Sequence, residues 1–422
     1  MQSSIKLRLT VMNFLQFAVW GAYLTSMGRY LGTAGFGSEI GNFYAMQGLV
    51  SLFMPALMGI VADRWIPAQR LLGVCHMLAG MLMLGVFLYT QTDAPSYPSL
   101  FALYSLSVAF YMPTLALSNS VAYTSLDQAG LDLVKSFPPI RVFGTVGFIC
   151  TMIAVSLLGL EATSGQFAVS AIISLVLAVY AQTLPNCPTA PKGQSKSLVE
   201  ALGLRGAFVL FKQRKMALFF IFSMLLGVSL QITNGFANPF ISTFGEIPAY
   251  ADTFGVKYAN ILISLSQLSE TLCILLIPFA LRRFGIRRVM LIAMVAWVLR
   301  FALLGLGNPG SGVWLFLLSM IVYGVAFDFF NVSGSLFVDK ETDPSIRSSA
   351  QGLFMIMTNG IGATLGSLGA QAVINHFVYS EHDTTAILAG WSMSWYVFAA
   401  YAAVVAVLFA LLFRYNTATE AK

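Results

Sequence analysis

Two carboxylates interrupt sequence that is otherwise apolar: Glu270 in ILISLSQLSETLCILLIPFALRRFG and Asp328 in FLLSMIVYGVAFDFFNVSGSLF. A carboxylate at the centre of a bilayer helix costs roughly 2.5–3.5 kcal/mol on insertion scales, and such groups face a cavity, a partner or a proton path. The remaining acidic residues can be placed in loops, at helix ends or in the tail. Interior carboxylates kept at that cost imply movement of a solute, with protons as its companion.

Further polar groups recur at helical spacing. Gln231 and Asn234 in LQITNGF are three apart and share a helix face, as do Gln267 and Glu270 in SLSQLSET. Arg141, Thr145 and Phe148 in FPPIRVFGTVGF form a stripe, and Tyr323 and Phe327 are four apart, with Asp328 at the edge of their face. Pro138 and Pro139 predict a helix start just before Arg141, which would leave it shallower than the rest. Amides, aromatic rings and carboxylates suit a neutral, flat, polar ligand. A phosphate would call for several convergent basic groups.

Each of these groups has a plainer reading. An amide in a span can serve as glue between helices, and Arg141 can anchor a helix end by snorkelling. Spacing alone does not separate these roles from ligand contact. Arg300 is expected to pair with an acidic group, and His76 to be a satisfied packing histidine. Asn13, Gln16, Trp20 and Tyr23 form a stripe that fits cavity lining and helix packing equally well. Gly362 and Gly366 are read as a small-residue packing face.

The elements that must carry these residues are membrane spans. The chain has 422 residues, 58% hydrophobic and only 9% charged, which places it outside soluble domains. A helix needs about 20 apolar residues to cross the hydrocarbon core. Such stretches occur near 7–31, 40–62, 70–91, 99–122, 138–159, 166–185, 215–240, 257–280, 288–307, 312–338, 348–376 and 389–413. The first is too long for a signal-peptide core and no small-residue cleavage site follows it, so it is expected to be retained.

Basic residues collect on one side of these spans. With both termini in the cytoplasm, the outer loops hold only Arg29 and Lys257, while Arg141 and Arg300 fall within spans. The net charge of +6 therefore reports topology, and no basic, aromatic-rich surface suggests nucleic acid. Four cysteines show neither a disulfide framework nor metal-ligand spacing. An enzyme would need a nucleophile–base set or metal ligands, which three scattered histidines do not provide. A receptor would need a sizeable cytoplasmic output domain, and no loop is long enough for one.

The one long polar connection divides the chain into an amino-terminal six-helix bundle (1–185), a cytoplasmic linker (186–214) and a carboxyl-terminal six-helix bundle (215–422). GIVADRW after the second span and LRRFGIRR after the eighth occupy equivalent places, the weak internal symmetry of secondary transporters. GIVADRW matches the core of the loop signature of the major facilitator superfamily, although Pro67, Ala68 and Gln69 replace part of its basic tail. The predicted fold class is an all-α membrane protein of the major facilitator fold, with twelve transmembrane helices in two bundles.

FMPALMGIVAD, FPPIRVFGTVGF, FFIFSMLLGVSLQITN, SLSQLSETL and IVYGVAFDFFNVSGSLF carry a more specific likeness. Through these blocks the chain resembles the nucleoside:proton symporters, across nearly all spans and least in the linker, outer loops and tail. The resemblance implies a proton-coupled nucleoside importer of the bacterial inner membrane, multi-pass and with both termini cytoplasmic. It implies a substrate site of Arg141, Thr145, Phe148, Gln231, Asn234, Gln267, Glu270, Tyr323, Phe327 and Asp328, with Asp328 and Glu270 as proton-coupling candidates. The expected partners are nucleosides such as uridine or adenosine and the lipid bilayer. Protons serve as coupling ion, with no other cofactor, no metal, no nucleic acid and a monomeric chain. The family includes a xanthosine-preferring branch that these motifs do not exclude. Sugars also use amides, carboxylates and aromatic platforms, so residue chemistry alone leaves a proton-coupled sugar or sugar-like solute symporter as the alternative.

Overall fold

The computed structural model describes residues 2–189, 209–343 and 346–415; residues 190–208, most of the expected linker, lie outside it. Every described regular element is helical. Nine described helical stretches, some of them running through short breaks, are long and apolar enough to cross a membrane. One of them, Ala259–Leu306, contains Gly285 at φ 75° and ψ 162°, and folds into two limbs there. A residue with a Cβ is strained at that φ, so glycine permits the tight reversal inside the basic run LRRFGIRR.

The chain forms two compact units, Met1–Tyr30 with Leu49–Leu202, and Leu31–Gly48 with Gly203–Lys422. The first contains α1 (Gln2–Gly21), α5 (Ala68–Tyr89), α6 (Tyr97–Gln128), α7 (Leu133–Leu157) and α8 (Gly165–Ala181). Between α1 and α5 lie α2 (Met27–Thr33), α3 (Ile40–Ser51) and α4 (Met54–Arg64), so the first two expected spans are each interrupted. Asp63 and Arg64 of the loop signature end α4 and are exposed.

Apolar faces of the first unit meet in a core that includes Leu9, Met12, Leu72, Val121, Leu126 and Leu177. α1 and α7 approach so closely that a Cβ on Gly21 would lie 2.4 Å from the Phe148 carbonyl oxygen. A Cβ on Gly147 would lie 2.2 Å from that of Phe14. Several buried polar groups in this unit are bonded to one another, which offsets their desolvation. His76 Nε2 donates to Gln16 Oε1 (2.8 Å), and its Nδ1 lies 2.9 Å from Ser174 Oγ. Gln16 Nε2 in turn donates to Thr114 Oγ1 (2.7 Å). His76 thus ties α1, α5, α6 and α8 together, as a packing histidine.

Pro138 and Pro139 sit inside α7, which begins at Leu133. The sequence-based expectation that they mark the helix start is therefore corrected. Backbone groups freed by proline inside a membrane helix are re-satisfied by neighbouring helices, hydroxyls or water, so the pair need not end the helix.

In the second unit, α9 (Arg214–Thr243) is followed by the short α10 (Pro248–Ala251) and α11 (Phe254–Lys257). Then come α12 (Ala259–Leu306), α13 (Val313–Glu341), α14 (Arg347–Met355), α15 (Ala363–Phe377) and α16 (Thr384–Leu412). A π-helical turn, Ile356–Gly362, joins α14 to α15. Gly366 presses on the Val228 backbone of α9, a packing contact. Residues 31–48 belong to this unit: Gln371 of α15 accepts from the Gly41 amide and donates to the Gly37 carbonyl (3.1 Å).

Candidate ligand and proton site

Seven of the ten sequence-selected residues lie in the second unit. On α9, Asn234 Nδ2 donates to Gln231 Oε1 (2.9 Å), so the two amides form one bonded pair across a helical turn. Gln231 is buried and Asn234 half-buried. On α12, Gln267 and Glu270 are both half-buried, one turn apart.

On α13, Tyr323 and Phe327 stack with ring centroids 5.6 Å apart and planes 9° from parallel. Their spacing of four residues places one ring above the other on the helix face. Tyr323 is buried, while Phe327 is half-buried and lines a small cavity with Trp297, Asn331 and Thr358. The pair forms a flat apolar platform with one end accessible.

Asp328 is buried, and its Oδ2 has no hydrogen-bond partner. Glu270 lies near enough to Asp328 for the two carboxylates to interact electrostatically. A desolvated carboxylate oxygen left without a partner is costly as an anion unless a proton or counter-charge compensates it. The arrangement is thus chemically competent to take up and release a proton.

Arg300 departs from expectation. It forms no ion pair with a described acidic group. Its Nη1 donates to the Ser319 carbonyl (2.9 Å) and Ser266 Oγ (3.3 Å), and its Cζ lies 4.4 Å from the Tyr323 ring centroid. The ring face supplies negative electrostatic potential where a carboxylate was expected.

The other three residues lie on α7 of the first unit. Arg141 is half-buried, with Cζ 4.0 Å from the centroid of the Phe17 ring on α1. A Cβ on Gly144 would lie 2.6 Å from that ring and 2.8 Å from Arg141 Nη1, so glycine leaves the room this contact needs. Thr145 is half-buried on the same face. Phe148 is buried edge-on to Trp20, with centroids 6.4 Å apart and planes at 90°. Tyr23 and Tyr111 line a second small cavity in this unit, with Ser107, Ser170 and Ser174.

The sequence pattern does not single out Phe17, beneath Arg141, or Trp297, against Tyr323 with centroids 5.9 Å apart and planes at 89°. The one available signal for Trp297 was its position three residues before Arg300, on the same face of a span.

A family model described as nucleoside H+ symporter matches residues 3–418. The chain belongs to the nucleoside:proton symporter family. It is 49% identical over 416 residues to a xanthosine permease of Escherichia coli (strain K12), covering 98% of this chain and 97% of that protein. To the nucleoside permease NupG of the same organism it is 46% identical over 416 residues, with the same coverage. A crystal structure of the nucleoside transporter NupG matches with a TM-score of 0.88 and 45% identity, covering 98% of this chain and 100% of that one. The symporter is an all-helical, multi-pass membrane protein of the major facilitator fold.

Proposed function

We propose that this symporter imports nucleosides together with protons across the bacterial inner membrane, by alternating access. Twelve spans in two six-helix bundles (1–185 and 215–422), joined by a cytoplasmic linker (186–214) and with both termini in the cytoplasm, complete the reading. The excess of Lys and Arg on one side supports that orientation. The protein is a monomeric carrier and not an enzyme, with protons as coupling ion and no other cofactor.

The observation that carries the reading is the stacked Tyr323–Phe327 platform, on the same unit as an amide pair and two interior carboxylates. A nucleobase is flat and aromatic, and stacks on such a surface. Gln231, Asn234 and Gln267 offer both donors and acceptors to its edge and to ribose hydroxyls. Arg141, Thr145 and Phe148 contribute from the first unit, and Glu270 completes the polar contacts. Asp328 is the preferred proton carrier, because Glu270 shares a face with Gln267 and engages the ligand. Uridine and adenosine fit these groups, and so does xanthosine, the solute named for the relative at 49% identity.

Counterflow of labelled uridine into proteoliposomes tests the reading. Excess unlabelled nucleosides should block it, and hexoses or pentoses at the same concentration should not. Block by sugars, with none by nucleosides, would replace the nucleoside by a sugar as substrate.

A further inference from the structure

Arg300 is a buried cation with no acidic partner among the described residues. It is 2% exposed, its Nε has no hydrogen-bond partner, and its Nη1 reaches only neutral oxygens and, at 3.9 Å, the Met320 sulfur. Leaving a guanidinium there is expensive unless something else compensates it. The Tyr323 face is the compensating surface, 4.4 Å from Cζ. Trp297, one turn before Arg300 on α12, closes edge-on against the same ring. Ser319 Oγ donates back to the Arg300 carbonyl at 2.9 Å, tying this turn of α12 to α13.

We propose that Arg300 is a positioning residue for the ligand platform: its guanidinium clamps Tyr323, and the parallel stack passes that orientation on to Phe327. This rests on the reading of Phe327 as a nucleoside-stacking ring. A ring in a membrane bundle is held only by packing unless a directional contact fixes its plane. The guanidinium supplies one, since it is planar, permanently charged and weakly hydrated enough to stack on an aromatic face. Lysine keeps the charge but not the plane. Half-exposed Phe327 has no such contact among the described residues, and inherits its orientation through the 9° stack with Tyr323.

The alternative is a cross-tie between α12 and α13 that is indifferent to the ligand. A double-mutant cycle in purified, detergent-solubilised symporter separates the two. Uridine affinity is measured by calorimetry for the unaltered protein, Arg300→Met, Arg300→Lys, Tyr323→Leu and the two combinations. The clamp predicts that Arg300→Met weakens binding about tenfold and Arg300→Lys about threefold, as expected for a desolvated cation–π contact. Neither change should weaken it further once Tyr323 is leucine. If Arg300→Met does not fold as a monodisperse species, Arg300→Lys carries the same cycle. Equal losses in both backgrounds, or no loss in either, overturn the clamp while leaving nucleoside transport intact. Failure of the unaltered protein to bind any nucleoside overturns the underlying reading and the clamp with it.

Discussion

Asn234 donates to Gln231 at 2.9 Å, so the two amides of α9 form one hydrogen-bonded unit. The bond uses one Asn234 hydrogen and one Gln231 lone pair. It leaves the Gln231 amide hydrogens and the Asn234 carbonyl directed elsewhere, in a fixed mutual orientation.

Removing either amide therefore also loosens the other. Each lost ligand bond is worth about 0.5–1.5 kcal/mol net, so Gln231→Ala or Asn234→Ala should weaken uridine binding roughly two- to tenfold. The double variant should lose less than the product of the two, because the second change removes a partner already misplaced. Calorimetric titration of the three variants checks this, and strict additivity would mean that the bonded pair is not used as a unit.

Asp328 and Glu270 should separate coupling from carriage. One proton moving through the membrane potential releases about 2.3 kcal/mol per 100 mV, enough to accumulate a neutral solute appreciably. Asp328→Asn or Glu270→Gln should abolish accumulation driven by an imposed pH gradient. At least one of them should keep counterflow, since exchange moves no net proton. Uridine uptake in proteoliposomes with and without the gradient is the measurement, and pH-driven accumulation by the double amide variant would remove both carboxylates from the coupling mechanism.

His76 should matter for stability and not for coupling. His76→Ala leaves Gln16 Oε1 without its donor, and an unsatisfied buried group costs about 1–3 kcal/mol. Thermal unfolding in detergent should shift down, while pH-driven uptake per folded molecule is retained. Loss of accumulation with counterflow preserved would instead make the imidazole a proton carrier.

Gly21 backs the stretch of α7 that holds Phe148. Gly21→Ala places a methyl group 2.4 Å from the Phe148 carbonyl oxygen, and overpacking of that kind costs about 1–3 kcal/mol. Reduced thermal stability and weaker uridine binding should appear together, because α7 must shift with Phe148. Gly59→Ala on α4 is the control: nothing lies within 4 Å of its added Cβ, so stability should hold or rise slightly.

Much of the fold was readable because the membrane demands long apolar runs, against which Gln231, Glu270 and Asp328 stand out as single letters. Their placement on spans followed directly. The partner of Arg300 did not, because the choice between a carboxylate and a ring depends on helix rotation and side-chain direction. Pro138 and Pro139 misled for a physical reason: a proline pair that would mark a helix start in water is tolerated inside a membrane bundle. The π-helical turn at Ile356–Gly362 accommodates residues in a way no hydrophobic period reveals. The attachment of residues 31–48 to the second unit rests on backbone bonds to Gln371, which composition does not record.

The turn at Gly285 has a consequence for biosynthesis. Just beyond it, Arg287 donates from Nε to the Phe413 carbonyl (2.7 Å) and from Nη2 to that of Ala410 (2.7 Å), satisfying carbonyls at the end of the last helix. These partners are separated from it by 126 and 123 residues of chain. At about 5–20 residues per second, the ribosome delivers those carbonyls roughly 6–25 s after the arginine. For that interval the guanidinium has to be accommodated by water, lipid phosphate or the insertion machinery. A nascent chain halted before residue 410 should therefore leave this loop open to protease, and completing the last span should close it.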